Sequence, residues 1–171
     1  SPLTLPAKDV PIIMIGAGAG VAPFRGFWDE IRRGPQTAPA ALFFGCRHAE
    51  QDWLYKDEMN GAVKLGKAGA GQGAALLAKV QVGPKRPLTC LFTAFSQPGE
   101  GKQKNYVQDM LRAQKASVKH WVEKMGGSVF ICGSSAMGNS VLDVLADILE
   151  GGRETVDTLR KDGRVVAEMW G

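Results

Sequence analysis

The sequence predicts a doubly wound α/β domain, a parallel sheet of about five strands with helices on both faces. Three observations carry this reading. Short continuous apolar runs recur along the 171 residues, each bounded by glycine, proline or polar positions. Such runs read as strands buried on both faces, the kind that parallel sheets contain. Segments with apolar residues at helical spacing separate them. The first run also passes through a glycine turn straight into a helix, which is how a βαβ unit opens.

That first strand is Pro11-Ile12-Ile13-Met14-Ile15, and Gly16, Gly18 and Gly20 follow at once. Pro23 then stands where a helix begins, because its missing N–H would be unpaired there in any case. Phe24, Phe27, Trp28 and Ile31 continue at helical spacing, and Gly34-Pro35 ends the helix. Backbone N–H groups at a helix start, with the helix dipole behind them, attract anions, and glycines leave room for a phosphate. Val21 occupies the third-glycine position of the G-x-G-x-x-G fingerprint, so a bare turn without a ligand stays open as an alternative.

Composition narrows the classes. Hydrophobic residues make up 44% and charged residues 22%, ordinary for a soluble globular domain. The net charge of +4 comes without any dense Lys/Arg run, which suits a phosphorylated ligand or acidic partner better than nucleic acid. Cys46, Cys90 and Cys132 lie far apart with no metal-ligand spacing, so no metal is expected and a reducing, cytoplasmic-side compartment is. No apolar run is long enough to span a membrane, which leaves only an anchor on a longer parent chain.

The remaining elements follow in order. Residues 1–10 read as an extended lead-in. Ala40–Gly45 is the second strand, followed by Cys46, Arg47 and His48, the last expected at the surface. Asp52 is expected to cap a helix that begins at Trp53. The Gly/Ala-rich residues 60–75 make a stable helix unfavourable, and about 61–87 reads as an insertion loop in which Leu76–Val82 forms an extra strand or arm. Leu88–Phe95 is the third strand. A charged loop leads to one long periodic helix with Val107, Met110, Leu111, Gln114, Val118, Trp121, Val122 and Met125 on one broad face. Ser128–Gly133 is the fourth strand, with Ser134 or Ser135 capping the next helix. A last helix buries Val156 and Leu159, and Arg164–Gly171 is the fifth strand.

Five segments, matched in order, resemble one family. Gly16-Ala17-Gly18-Ala19-Gly20-Val21-Ala22-Pro23-Phe24-Arg25 resembles the G-x-G-T-G-x-A-P-F-R segment of the ferredoxin–NADP reductase superfamily, and within it the diflavin reductases, the group that includes NADPH–cytochrome P-450 reductase. Phe44-Gly45-Cys46-Arg47, then Asp52, Tyr55 and Glu58, resemble its Y-G-C-R…D-x-x-Y-x-x-E. Ala94-Phe95-Ser96-Gln97, with Lys104-Asn105-Tyr106-Val107-Gln108, resembles A-F-S-R…K-x-Y-V-Q, Gln97 replacing the arginine. The strand Ser128–Gly133, with Ser134 replacing the aspartate, resembles Y-V-C-G-D, and the terminal Glu168-Met169-Trp170-Gly171 resembles D-V-W-S.

The resemblance implies an NADPH-binding module of a flavoprotein whose FAD and FMN domains lie upstream. Their motifs, including R-x-Y-S, are absent here, so the chain is expected to be a C-terminal fragment, inactive alone. The parent is expected to deliver hydride from NADPH to FAD, with electrons passing through FMN to a haem or other redox acceptor. The glycine segment, Gly16 to Pro23 with Arg25, is then expected at the pyrophosphate, where Ala19 lacks the family's threonine hydroxyl. Cys46 and Arg47 are expected at the adenosine phosphate, and Ser96, Gln97, Lys104, Tyr106 and Gln108 around the 2′-phosphate. Met137 is expected at the nicotinamide ribose. Cys132, Glu168 and Trp170 are expected beside the hydride path, Trp170 as a lid over the flavin.

A non-catalytic nucleotide-binding module is the alternative. A hydrolase of the α/β type is a second alternative, but it needs a G-x-S-x-G elbow and none occurs.

Overall fold

The computed structural model describes residues 3–62 and 87–171. Most of the expected insertion, and the extra strand read at 76–82, lie outside the described residues.

The chain runs β1 (Ile12–Ala17), a 3₁₀ turn (Gly18–Val21), α1 (Ala22–Arg33), β2 (Ala40–Cys46) and α2 (Lys56–Ala62). It continues through β3 (Cys90–Phe95), α3 (Val107–Ala113), α4 (Lys115–Glu123) and β4 (Ser128–Ser134), then α5 (Ser135–Ile148), α6 (Gly152–Lys161) and β5 (Val165–Trp170). The five strands form one sheet in the order β3-β2-β1-β4-β5. Every pair is parallel, with Gly16 opposite Phe44 on one side and Cys132 on the other. The doubly wound parallel sheet read from the sequence is the fold observed.

Two cores result, because successive strand residues face opposite sides. Ile13, Ile15, Phe43, Phe92, Val129 and Ile131 pack with α3 to α6 on one face. Ile12, Met14, Leu42, Phe44, Phe130 and Cys132 pack with α1 and α2 on the other. Phe27 meets Phe130 edge-on at 5.0 Å, and Phe43 stacks on Phe92 at 4.6 Å.

Two expectations are corrected. The second helix starts at Lys56, not Trp53: Tyr55 sits at φ 58°, a left-handed conformation that blocks a helix through it. The expected single helix over 107–125 is two helices broken at Gln114, whose φ and ψ of −102° and 23° leave the helical region. Ser134, not Ser135, caps α5, its Oγ accepting from Met137 N at 3.2 Å.

Candidate functional site

The carboxyl ends of the strands open onto a cleft of about 730 Å³. In open α/β sheets ligands bind at this end, where strand order reverses, and here it reverses between β1 and β4. Of the described large hydrophobic side chains, Leu54, Tyr55, Tyr106 and Trp170 are the exposed ones, and three of these four line the cleft. Apolar exposure concentrated in one concave site marks a place for a ligand.

The floor is the glycine turn. Ala17, Gly18 and Ala19 line the cleft. Gly18 adopts φ 55°, and a Cβ there would meet nothing within 4 Å, so its backbone is open to an incoming group. Gly20 serves packing instead: a Cβ would fall 2.2 Å from the Cys132 carbonyl oxygen, so only glycine lets the turn lie against β4. Gly16 and Val21 are buried beneath, while Ala22 and Pro23 open α1. Facing the turn are Ser134, Ala136, Met137 and Ser140 at the start of α5.

A second wall comes from the ends of β2 and β3. Ser96 N donates to Cys46 O at 3.0 Å, and Gln97 N donates to Arg47 O at 2.8 Å. Asn105 N donates to Phe95 O at 3.0 Å, closing the 96–105 loop on itself. These bonds bring Cys46, Arg47, Ser96, Tyr106 and Gln108 into one lining, with Asp52 among them. Exposed Gln97 and Lys104 belong to the same loop, Lys104 Nζ standing 5.5 Å from the Tyr106 ring centre.

Asp52 does not cap a helix. Its Oδ2 accepts from His48 N at 3.1 Å and lies 2.8 Å from His48 Nδ1, and its Oδ1 accepts from Arg47 Nη2 at 3.4 Å. The bond to the His48 ring, chiefly, holds the Asp52 carboxyl below the usual range. His48, expected at the surface, is half-buried with this partner. Burial pushes the Cys46 thiol up to about 11.

At the other end, parallel register sets Trp170 beside Ser134 and Glu168 beside Cys132. Trp170 is 49% exposed and lines the cleft. Cys132 is buried, and its thiol is pushed up by burial and then by the Glu168 charge. Arg25 lies outside the lining. Its Nε donates to Glu58 Oε2 at 2.9 Å and its guanidinium stands 4.7 Å from the Tyr55 ring centre.

Sequence reasoning passed over Gln51, Asp52, Leu54, Asn105, Ser134 and Ser140 as lining residues. Asp52 carried a signal, since it falls inside a matched segment. Ser140 sits one helical turn beyond Ala136 and was findable only once α5 was known to start at Ser135. Among the described residues, no group of three or more His, Cys, Asp or Glu is placed to hold a metal, and no helix is long and apolar enough to cross a membrane.

A cleft across the carboxyl ends of a parallel sheet, floored by a glycine turn at a helix start, defines a nucleotide-binding α/β domain. The chain matches the oxidoreductase NAD-binding domain family over residues 14–72. It is 36% identical to an NADPH–cytochrome P450 reductase of Aspergillus niger, over 94% of this chain and 22% of that protein. It is 34% identical to nitric oxide synthase 3 of Sus scrofa, over 97% of this chain and 13% of the synthase. It is also 34% identical to methionine synthase reductase of Bos taurus, over 95% of this chain and 23% of the reductase. Over most of its length the chain is homologous to these diflavin reductases. It spans less than a quarter of the length of these relatives.

Proposed function

We propose that NADPH lies along this cleft in the service of hydride delivery to a flavin on another domain. The observation that supports this best is that one cleft takes in both the Arg47–Ser96–Tyr106 cluster and Trp170. A dinucleotide has two recognition ends, and this cleft offers chemically different groups at each. Arg47, Ser96 and Lys104 suit a phosphate by charge and hydrogen bonding, and the Tyr106 ring offers a face for adenine. The backbone at Gly18 and Ala19, beside the start of α1, suits the pyrophosphate. Met137 and Trp170 border the nicotinamide end, while Cys132 and Glu168 are paired across β4 and β5 outside the lining.

The residues fit the nucleotide: the cleft volume is within the range of ligand sites, and Gly18 presents bare backbone to it. In this reading a longer flavoprotein carries FAD and FMN, and flavin supplies the electron-accepting chemistry when bound. This domain holds and orients the nicotinamide, and the final acceptor is a haem protein or another redox partner. The compartment is a reducing one, as the unpaired Cys46, Cys90 and Cys132 suggest.

The test is a titration of isotope-labelled chain by NMR, with NADP⁺ and with 2′,5′-ADP. Both should shift Arg47, Ser96 and Tyr106, and only NADP⁺ should shift Met137 and Trp170. NADP⁺ shifts confined to the first group would favour a non-catalytic nucleotide module. Reduction of cytochrome c by the flavin-free chain would contradict the division of labour proposed here.

A further inference from the structure

We propose that Asp52 is a positioning residue for phosphate capture, holding or releasing Arg47 according to the charge on His48. The proposal rests on the nucleotide reading of the cleft. Arg47 and His48 share one carboxylate: Oδ2 serves the His48 backbone and ring, while Oδ1 accepts the 3.4 Å bond from Arg47. Arg47 and Asp52 both line the cleft, so a phosphate approaching Arg47 meets the carboxylate as well.

A neutral imidazole gives Asp52 one N–H bond and leaves its charge to Arg47. An imidazolium offsets that charge and frees Arg47 for the phosphate. A bound dianion in turn favours the imidazolium, so binding takes up a proton. An imidazole is the side chain whose ordinary charge change falls between about pH 5 and 8. Asp52 is held below the usual carboxyl range and stays ionised. Cys46, whose Sγ lies 3.5 Å from His48 O, is pushed up to about 11 and stays neutral. Glu50 lies on the same segment, 3.8 Å from Lys56. Ser96 and Gln97, which pack against this segment from β3, do not titrate.

The experiment is calorimetry with NADP⁺, and with NAD⁺ as the phosphate-free control, from about pH 7.5 to about pH 6. The proteins are the chain, His48→Gln and Asp52→Asn. The affinity of the unaltered chain for NADP⁺, relative to His48→Gln, should rise about threefold or more as pH falls. The same ratio for NAD⁺ should stay level. Because both proteins meet the same ligand, the phosphate's own titration near pH 6 cancels from the ratio. Asp52→Asn should bind NADP⁺ more tightly than the unaltered chain at the upper pH, with the advantage shrinking at the lower.

Proton uptake, read from binding heats in two buffers of different ionisation enthalpy, does not depend on the Asn variant folding. It should be greater for NADP⁺ binding to the unaltered chain than to His48→Gln, the phosphate's own proton exchange being common to both. A level NADP⁺ ratio, or no difference in uptake, overturns the proposal. Absence of NADP⁺ binding by every protein at every pH overturns the nucleotide reading itself, a separate result.

Discussion

Ala19 is exposed on the floor of the cleft, in the position where the resemblance implies a threonine. A hydroxyl placed there has open space before it and a ligand backbone to meet. A neutral hydrogen bond is worth about 0.5–1.5 kcal/mol net. Ala19→Thr should therefore tighten NADP⁺ and NAD⁺ by the same factor, about two- to tenfold, since both carry the pyrophosphate. Calorimetry with the two nucleotides checks it, and a gain for NADP⁺ alone would place residue 19 at the wrong end of the ligand. At this scale the sequence was informative about residue type and less so about direction. Arg25 matches a segment that elsewhere binds nucleotide, yet its guanidinium is occupied by Glu58 and Tyr55. Nothing in the spacing of 25 and 58 announces that pair. Asp52 was mistaken for a cap because Asp before an apolar helical pattern is a cap signal, and its real partner, His48, lies behind it in the chain.

Among the elements, the strands were the most legible. A strand buried on both faces must be apolar along its buried stretch; β1 and β2 are so throughout, and β4 is so between its terminal serines. Helix boundaries were less so. The break at Gln114 has no Gly or Pro to signal it, and the buried stripe resumes in phase with Val118, Trp121 and Val122. The link between α1 and α2 was likewise invisible. Glu58 Oε1 accepts from Trp28 Nε1 at 2.9 Å, and Oε2 accepts from Arg25 Nε at 2.9 Å. Burial works to raise the Glu58 carboxyl, but the two side-chain bonds prevail and hold it below the usual range. A carboxyl lowered in the folded state adds stability above its unfolded value, about 4.3, and loses it as pH falls through the folded value. Glu58→Gln should cost about 1 kcal/mol near pH 7, and the deficit should close below about pH 4. Denaturant melts at the two pH values check this. A deficit independent of pH would make it a packing effect of the amide.

The site belongs to the whole molecule, since its lining comes from the ends of all five strands. The last residue but one completes it. Trp170 is half-exposed on an edge strand and contributes little to the core, whereas Trp28 and Trp121 are buried. Trp170→Ala should leave Tm near its original value, a change within about 0.5 kcal/mol. It should also remove most of the change in intrinsic fluorescence on adding NADP⁺. A large drop in Tm with the fluorescence response intact would mean that Trp170 is packing rather than a wall of the site.

The central claim is that the Arg47–Ser96–Tyr106 end of the cleft, with Lys104 beside it, holds the 2′-phosphate. Lys104 is exposed and 5.5 Å from the Tyr106 ring centre, so reversing its charge should spare the fold. A charge-assisted hydrogen bond is worth about 1.5–3 kcal/mol. Calorimetry of the chain and Lys104→Glu with NADP⁺ and NAD⁺ tests the claim directly. NADP⁺ should weaken about ten- to a hundredfold while NAD⁺ stays within about twofold. Equal losses for the two nucleotides, or none for either, would contradict it.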